Sequence, residues 1–162
     1  MNGNTWVSYT YNDNQYEFKE VSANSFPANF NISHSISTGA AYNIYKNLKI
    51  STGFIWKTGR PYTKPVEDEQ TFRDGNFTRV NYEEPNRYNL PDYMRIDASI
   101  SYGYDFTDTS SLSLTLGFLN ILNRKNVINR FYRVSSDDST MAQEVDNLSL
   151  AFTPNVSARF NF

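Results

Sequence analysis

Residues 93–105 read YMRIDASISYGYD. Met94, Ile96, Ala98, Ile100, Tyr102 and Tyr104 fall on one parity, and Arg95, Asp97, Ser99, Ser101 and Gly103 on the other. A period of two marks a strand, because successive side chains of a pleated chain point to opposite faces. The pattern returns in SLSLTLGF, residues 111–118, where Leu112, Leu114, Leu116 and Phe118 oppose Ser111, Ser113, Thr115 and Gly117. It returns again at residues 148–162, LSLAFTPNVSARFNF. There Leu148, Leu150, Phe152, Val156, Ala158, Phe160 and Phe162 oppose Ser149, Thr153, Asn155, Ser157, Arg159 and Asn161. Helical periodicity is almost absent. Working outward, the sequence predicts an all-β chain with strands over residues 5–11, 32–45, 48–57, 93–105, a fifth from Ser111 that resumes at VINRFYRV, and a sixth over 148–162.

The charges bear on the medium around these strands. Lys49, Lys57, Arg95, Asp97, Asp105 and Arg159 all take the polar parity, and none interrupts an apolar row. A Lys or Arg turned to mid-bilayer lipid costs about 2–4 kcal/mol, so a lipid-facing sheet would show this bias. A sheet with one wet face would show it too. The connections alternate in length. Lys46–Asn47 and the FTDTS stretch at 106–110 are tiny, whereas those after the first, third and fifth strands are long, TGRPYTKP…NRYNLPD the longest. Short turns at one end and long loops at the other are the habit of outer-membrane barrels, the short turns being periplasmic. Tyr9, Tyr11, Tyr42, Trp56, Tyr93, Tyr102, Tyr104, Phe160 and Phe162 fall near strand ends, where aromatic girdles lie.

Composition sets bounds on function. The chain has 162 residues, enough for one ordinary domain, here 1–162. A net charge of -2 and a pI near 5.4 point away from nucleic acid as a partner. With no cysteine, disulfides, thiol catalysis and thiolate metal sites are excluded. Aromatics make up 16% of the residues while mean hydropathy is -0.60, a pairing that suits alternating strands joined by long polar loops. No apolar run approaches the roughly 20 residues of a membrane-spanning helix. Residues 2–13, NGNTWVSYTYND, show no charged start, apolar stretch or cleavage site, so no signal peptide is expected here. The chain is then either cytoplasmic or a piece of something longer.

Five segments, in order, carry a family likeness. FPANFNISHSISTGAAYNIYKN and GFIWKTGRPYT resemble a strand, and the strand and loop start after it, late in TonB-dependent outer-membrane receptors of Bacteroidetes-type bacteria. LPDYMRIDASISYGY is similar to the third-last strand of that family, LGFLNILNRKNV to its N-hydrophobic-N-R-N second-last strand, and TPNVSARFNF to its closing strand. The resemblance spans nearly the whole chain. It implies an antiparallel meander of about six transmembrane strands, the closing part of a barrel of 22 strands with a plugged lumen. Such receptors import siderophores, vitamins, glycans or peptides with energy supplied through TonB. The implied partners are the rest of the barrel and the plug, TonB through the missing N-terminal part, the barrel assembly machinery and lipid of the Gram-negative outer membrane. Whether a surface lipoprotein serves as a lid is left open. Six strands cannot close a barrel of that size.

Candidate chemistry is sparse, and no catalytic constellation, cofactor motif or phosphate-cradling loop is present. His34 is the single histidine, which rules out multi-histidine metal sites. Glu67–Glu69 and the SSDD run at 135–138 read as solvated loop tips, with divalent-cation binding the lesser reading. RDGN at 73–76 reads as a tight turn in which Gly75 supplies positive φ. In a receptor of the family resembled, Arg60, Tyr62, Arg73, Arg87, Tyr88 and Tyr132 would stand near the extracellular mouth, aromatics stacking on a ligand and arginines pairing with its anionic groups. By the same likeness Phe152, Val156, Phe160 and Phe162 would form the assembly signal of the last strand. Two other readings stay open. One is a soluble β-sandwich binding module with its apolar rows between sheets. The other is a small closed outer-membrane barrel of structural role.

Overall fold

Alternation gives each strand two faces of opposite chemistry, and antiparallel pairing aligns like with like across the sheet. The computed structural model describes residues 2–162. β1 (Gly3–Tyr11) runs toward the end where the long connections lie, and residues 12–33 carry the short pair β2 (Gln15–Tyr16) and β3 (Phe26–Pro27). β4 (His34–Tyr45) returns, a turn at Lys46–Asn47 reverses the chain, and β5 (Leu48–Lys57) goes back. Residues 58–92 hold β6 (Pro61–Tyr62), the hairpin β7 (Thr71–Asp74) and β8 (Phe77–Val80), and β9 (Tyr88–Asn89), which pairs with β6. β10 (Tyr93–Asp105) and β11 (Ser111–Leu119) follow, joined by 106–110. Residues 120–152 carry a second hairpin, β12 (Val127–Val134) and β13 (Ala142–Leu148), before β14 (Thr153–Asn161).

The six long strands form one antiparallel sheet in the order β1-β4-β5-β10-β11-β14. Each is hydrogen-bonded to the long strand before it, so the sheet is a meander. It is open, with β1 and β14 as its edges, and no closed barrel forms among the described residues.

The register shows which residues share a face. Gly3, Tyr42, Ile50, Ile100, Leu116 and Val156 lie in one cross-strand row. Two residues nearer the long connections, Thr5, Ala40, Thr52, Ala98, Phe118 and Pro154 form the next. No Asp, Glu, Lys or Arg of these six strands stands on this face. The other face carries Lys49, Lys57, Arg95, Asp97, Asp105 and Arg159 among Ser, Thr, Asn and Gly. Two of its apolar members are local. Trp6 lies over Gly39, where an added Cβ would come 2.5 Å from the indole nitrogen, and Ile55 sits beside Arg95.

Burial is inverted relative to a water-soluble domain. Among the described residues the buried apolar side chains are Ala28, Pro61 and Leu90, all in connections, while Asn31, Asn86, Asn120 and Asn126 are buried polar ones. Tyr9, Ile50, Ile100, Tyr102, Leu114, Leu116, Val156 and Phe160 are exposed. Among the described residues no second sheet covers the apolar rows. The strands are also staggered. β5 and β10 begin level at Lys57–Tyr93, whereas Leu119 and Thr153 lie opposite one another at a level beyond Ala98 and Phe118. At the other end β10, β11 and β14 reach furthest, to the row Asp105, Ser111, Asn161.

Two predicted strands end elsewhere than the alternation suggested. The fifth does not resume in the sheet, because the chain turns out at Asn120 and 127–134 pairs instead with 142–148. The sixth starts at Thr153, so Leu148 closes the outer hairpin, and Leu150 and Phe152 lie in the link. Phe152 still stacks on Phe118, with ring centres 6.1 Å apart.

The turn at Asn120 is built from the NILNRKN segment. Asn120 and Asn123 adopt the left-handed backbone, with φ of 51° and 49°. Asn120 is fully buried, its Nδ2 donating to the carbonyls of Arg124 and Leu150 and its Oδ1 accepting from Arg124 N–H. Its own N–H donates to Asp97 Oδ1 at 2.9 Å. Asn123 Oδ1 accepts from Phe152 N–H. Asn126 replaces a strand partner for Met94, accepting its N–H at 3.0 Å and donating to its carbonyl at 2.9 Å. Asparagine suits the site because it tolerates left-handed φ and has both a donor and an acceptor. We expect Asn120→Gly, which keeps the backbone unstrained but strips the side chain, to cost about 2–3 kcal/mol in urea unfolding of the protein. Asn120→Ala should cost about 1 kcal/mol more, from left-handed strain. Equal stability of the wild type and both variants would refute this account.

Candidate functional site

The three long connections meet at one end of the sheet and hold one another through side chains. Asn86, itself at φ 58°, donates through Nδ2 to the Pro27 carbonyl and to Asn29 Oδ1, each at 2.7 Å, while its N–H donates to Thr63 Oγ1. Asn31 Oδ1 accepts from Asn12 Nδ2 and Asn14 N–H, folding 12–33 on itself. Arg60 Nη2 donates to Asn129 Oδ1, and Tyr82 Oη to the Tyr132 carbonyl. Thr71 Oγ1 donates to the Ser139 carbonyl and Ala142 N–H to Gln70 Oε1, joining the two outer hairpins.

These contacts enclose a cavity of about 270 Å³, open to solvent, to which all three connections contribute. Phe30 comes from the first; Arg60, Tyr62 and Tyr82 from the second; Arg130 and Tyr132 from the third. Arg60 is placed by the Thr-Gly-Arg-Pro turn after β5. There Gly59 lies so close to the 88–92 segment that a Cβ would fall 1.6 Å from the Leu90 carbonyl oxygen. The Arg60 carbonyl accepts from Leu90 N–H, which locks the β6–β9 pair beneath the cavity.

The two arginines differ in charge environment. Arg130 binds Asp146 through both Nε and Nη2, at 2.6 and 2.7 Å, and its Nη2 also reaches Glu144 at 2.9 Å. Its guanidinium lies over the Tyr62 ring, 5.3 Å from the centroid. The Asp146 hydrogen bond is the chief cause holding Arg130 protonated beyond its ordinary range, and the same bond holds the Asp146 carboxyl below its own. Burial, then the hydrogen bond to Glu144, pushes the Tyr132 phenol upward, so it stays neutral. Arg60 has no carboxylate partner in this set. It bonds the neutral Asn129 amide, lies over the Phe30 ring at 5.6 Å, and keeps a buried Nε without a partner.

Of the six residues predicted to line the mouth, Arg60, Tyr62 and Tyr132 are brought together here. Tyr88 lies just outside, its ring 6.0 Å from Tyr62 and beneath Lys64, its hydroxyl bonded to Glu83, which raises its pKa. Arg73 is exposed on the β7–β8 hairpin, whose turn does carry Gly75 at φ 59°, and Arg87 is exposed as well. Neither lines the cavity. Arg130 and Tyr82 went unrecognised in the sequence. Arg130 sits in VINRFYRV, which reads as a resumption of the fifth strand, and Tyr82 carries no local signal. His34 lies at the outer end of β4, its Nδ1 2.9 Å from Tyr9 Oη. Among the described residues no group of three or more His, Asp or Glu is placed to hold a metal ion. Glu67, Asp68 and Glu69 are exposed.

No family model matches this chain, and comparison with curated proteins and with solved structures finds no match either.

Two outcomes follow from this geometry. Asp146 has a depressed carboxyl pKa when folded, so its contribution is present above the unfolded value of about 3.9 and is lost as pH falls through the lower folded value. The Arg130 Nε–H NMR signal should therefore shift only below about pH 4, and Asp146→Asn should remove that titration; an unchanged titration in the variant would count against the pairing. Separately, Gly59→Ala should force the 58–60 and 88–92 segments apart at about 1–3 kcal/mol. The measurement is proteolytic susceptibility of the 58–92 connection, which should rise while that of the sheet stays as in the wild type.

Proposed function

We propose that the chain forms wall and mouth of a TonB-dependent outer-membrane receptor, as the closing six strands of a 22-stranded barrel that takes up a scarce nutrient. The observation that carries this reading is the inverted sheet, with one face free of charge and uncovered and the other bearing every charged wall residue. In hydrocarbon, backbone polar groups must be satisfied within the protein, which a hydrogen-bonded antiparallel ladder achieves, except at its two edges. Those edges, β1 and β14, would pair with the remainder of the barrel. The charged face would line the lumen around the plug.

The dimensions fit. From Met94 to Tyr104 the apolar row of β10 covers about ten residue steps, or about 34 Å along the strand. A tilt of about 40° reduces this to about 26 Å, close to the apolar band of outer-membrane barrels. Aromatics flank that band. Tyr9, Tyr11 and Trp56 stand at the long-connection end, and Tyr102, Tyr104, Phe106 and Phe160 at the other, with Phe106 contacting both Tyr104 and Phe160. Tyr93 faces the opposite way, its ring under the Lys57 ammonium.

In this reading the long connections are extracellular and their cavity is part of the ligand mouth, which a surface lipoprotein could cover as a lid. TonB acts through the plug region, outside these strands, and the role is transport without catalysis. Val156 and Phe160 on β14, with Phe152 before it and Phe162 after it, supply the apolar edge read during assembly.

The test uses Ile100, in the middle of the apolar face. Ile100→Arg should destabilise the protein in phospholipid vesicles by about 2–4 kcal/mol and lower its outer-membrane yield. Ile100→Phe should be nearly neutral against lipid, whereas in a packed sandwich core it would cost about 1–3 kcal/mol. Recovery of the folded protein from the soluble fraction, without detergent, would sink the proposal.

A further inference from the structure

The geometry points to Arg60 as an anion seat, and to a carboxylate on a ring-sized body as the ligand of the loop cavity. This rests on reading that cavity as part of the receptor's mouth. The case comes from comparing two arginines that line the same space. In Arg130 the Nε–Nη2 side of the guanidinium is filled by both oxygens of Asp146, and Glu144 adds a second negative charge. In Arg60 the same side is half filled, since Nη2 meets the amide oxygen of Asn129 and Nε meets nothing. A buried guanidinium N–H without an acceptor is costly, and a carboxylate is the group whose two oxygens match this side of the guanidinium. Arg130 shows the matched arrangement within the same cavity wall.

The rest of the cavity sets the body that carries the charge. Its volume of about 270 Å³ lies at the small end for ligand sites, room for one ring and not for an extended chain. Tyr62, Tyr82 and Tyr132 offer ring faces and hydroxyls, and Asn29 and Thr63 add polar edges. The Phe30 ring lies over the guanidinium and is itself 72% exposed, so it offers an apolar face beside the seat.

The test compares galacturonate with its methyl ester, the same ring without the charge, by calorimetric titration of the intact protein in detergent near neutral pH. The acid should bind at least about tenfold more tightly than the ester. Asn129→Asp should bring the two within about twofold, because the new carboxylate fills the Arg60 side as Asp146 fills that of Arg130. This variant keeps the shape and the hydrogen bond of Asn129, so folding is retained. Equal affinity for acid and ester, no binding of either at millimolar concentration, or an undiminished acid preference in Asn129→Asp would each overturn the proposal. The readout is independent of membrane location. A protein that fractionates as soluble yet prefers the acid keeps the seat and loses the receptor reading.

Discussion

Everything in this structure depends on keeping charge off one face of one sheet. Six strands hold that separation in register over their paired lengths, and antiparallel pairing sums it into continuous rows such as Tyr42, Ile50, Ile100, Leu116 and Val156. A slip of one residue in the β5–β10 pairing would send Arg95 and Asp97, or Lys49, to the apolar side. The register therefore decides which face carries the charge. Arg95 and Asp97 are bonded to each other on the polar face, Nη2 to Oδ2 at 2.9 Å, and Asp97 uses its other oxygen to hold Asn120.

Polar burial is concentrated where the sheet ends. A domain with a hydrophobic core gains most of its order from apolar contact. Here the connections gain theirs from asparagine. Asn31, Asn86, Asn120 and Asn126 are buried and engage backbone or amide groups of neighbouring segments. Each amide has both donors and an acceptor, so a single side chain can complete two carbonyls and an N–H that a loop would otherwise leave unpaired. This gives the cavity walls defined positions without a core beneath them, and it places Arg60 and Arg130 on opposite connections facing one space.

Much of the sheet was legible in the sequence because a period of two and the parity of charges are local signals. The third and fourth predicted strands, 48–57 and 93–105, match the observed ones residue for residue. The errors fall where the chain turns out of the sheet. LSLAF keeps the apolar parity of the last strand, yet Asn120 and Asn123 at positive φ have already led the backbone out of the sheet. A backbone dihedral is invisible to hydropathy. The site was half legible for a related reason. Arg60 and Tyr62 follow directly from the end of β5, so their position is inherited from a strand that could be read. Arg73 and Arg87 depend on how a long connection folds over itself, and Arg130 on a hairpin whose second strand, 142–148, was not predicted. The partner of an arginine, which decides whether its charge is free, is set by contacts such as Arg130 with Asp146 across a hairpin, and the lone sequence does not weigh them.

The two edges of the sheet have opposite directions. β1 leads toward the long connections and β14 leads away from them. If the sheet is completed by antiparallel neighbours alone, the strand beside β14 must ascend and the strand beside β1 must descend. Any set that starts with one and ends with the other, alternating between, has an even number of members. Ring closure is thus a counting rule already set by this chain, and an odd total would demand one parallel pair at the seam.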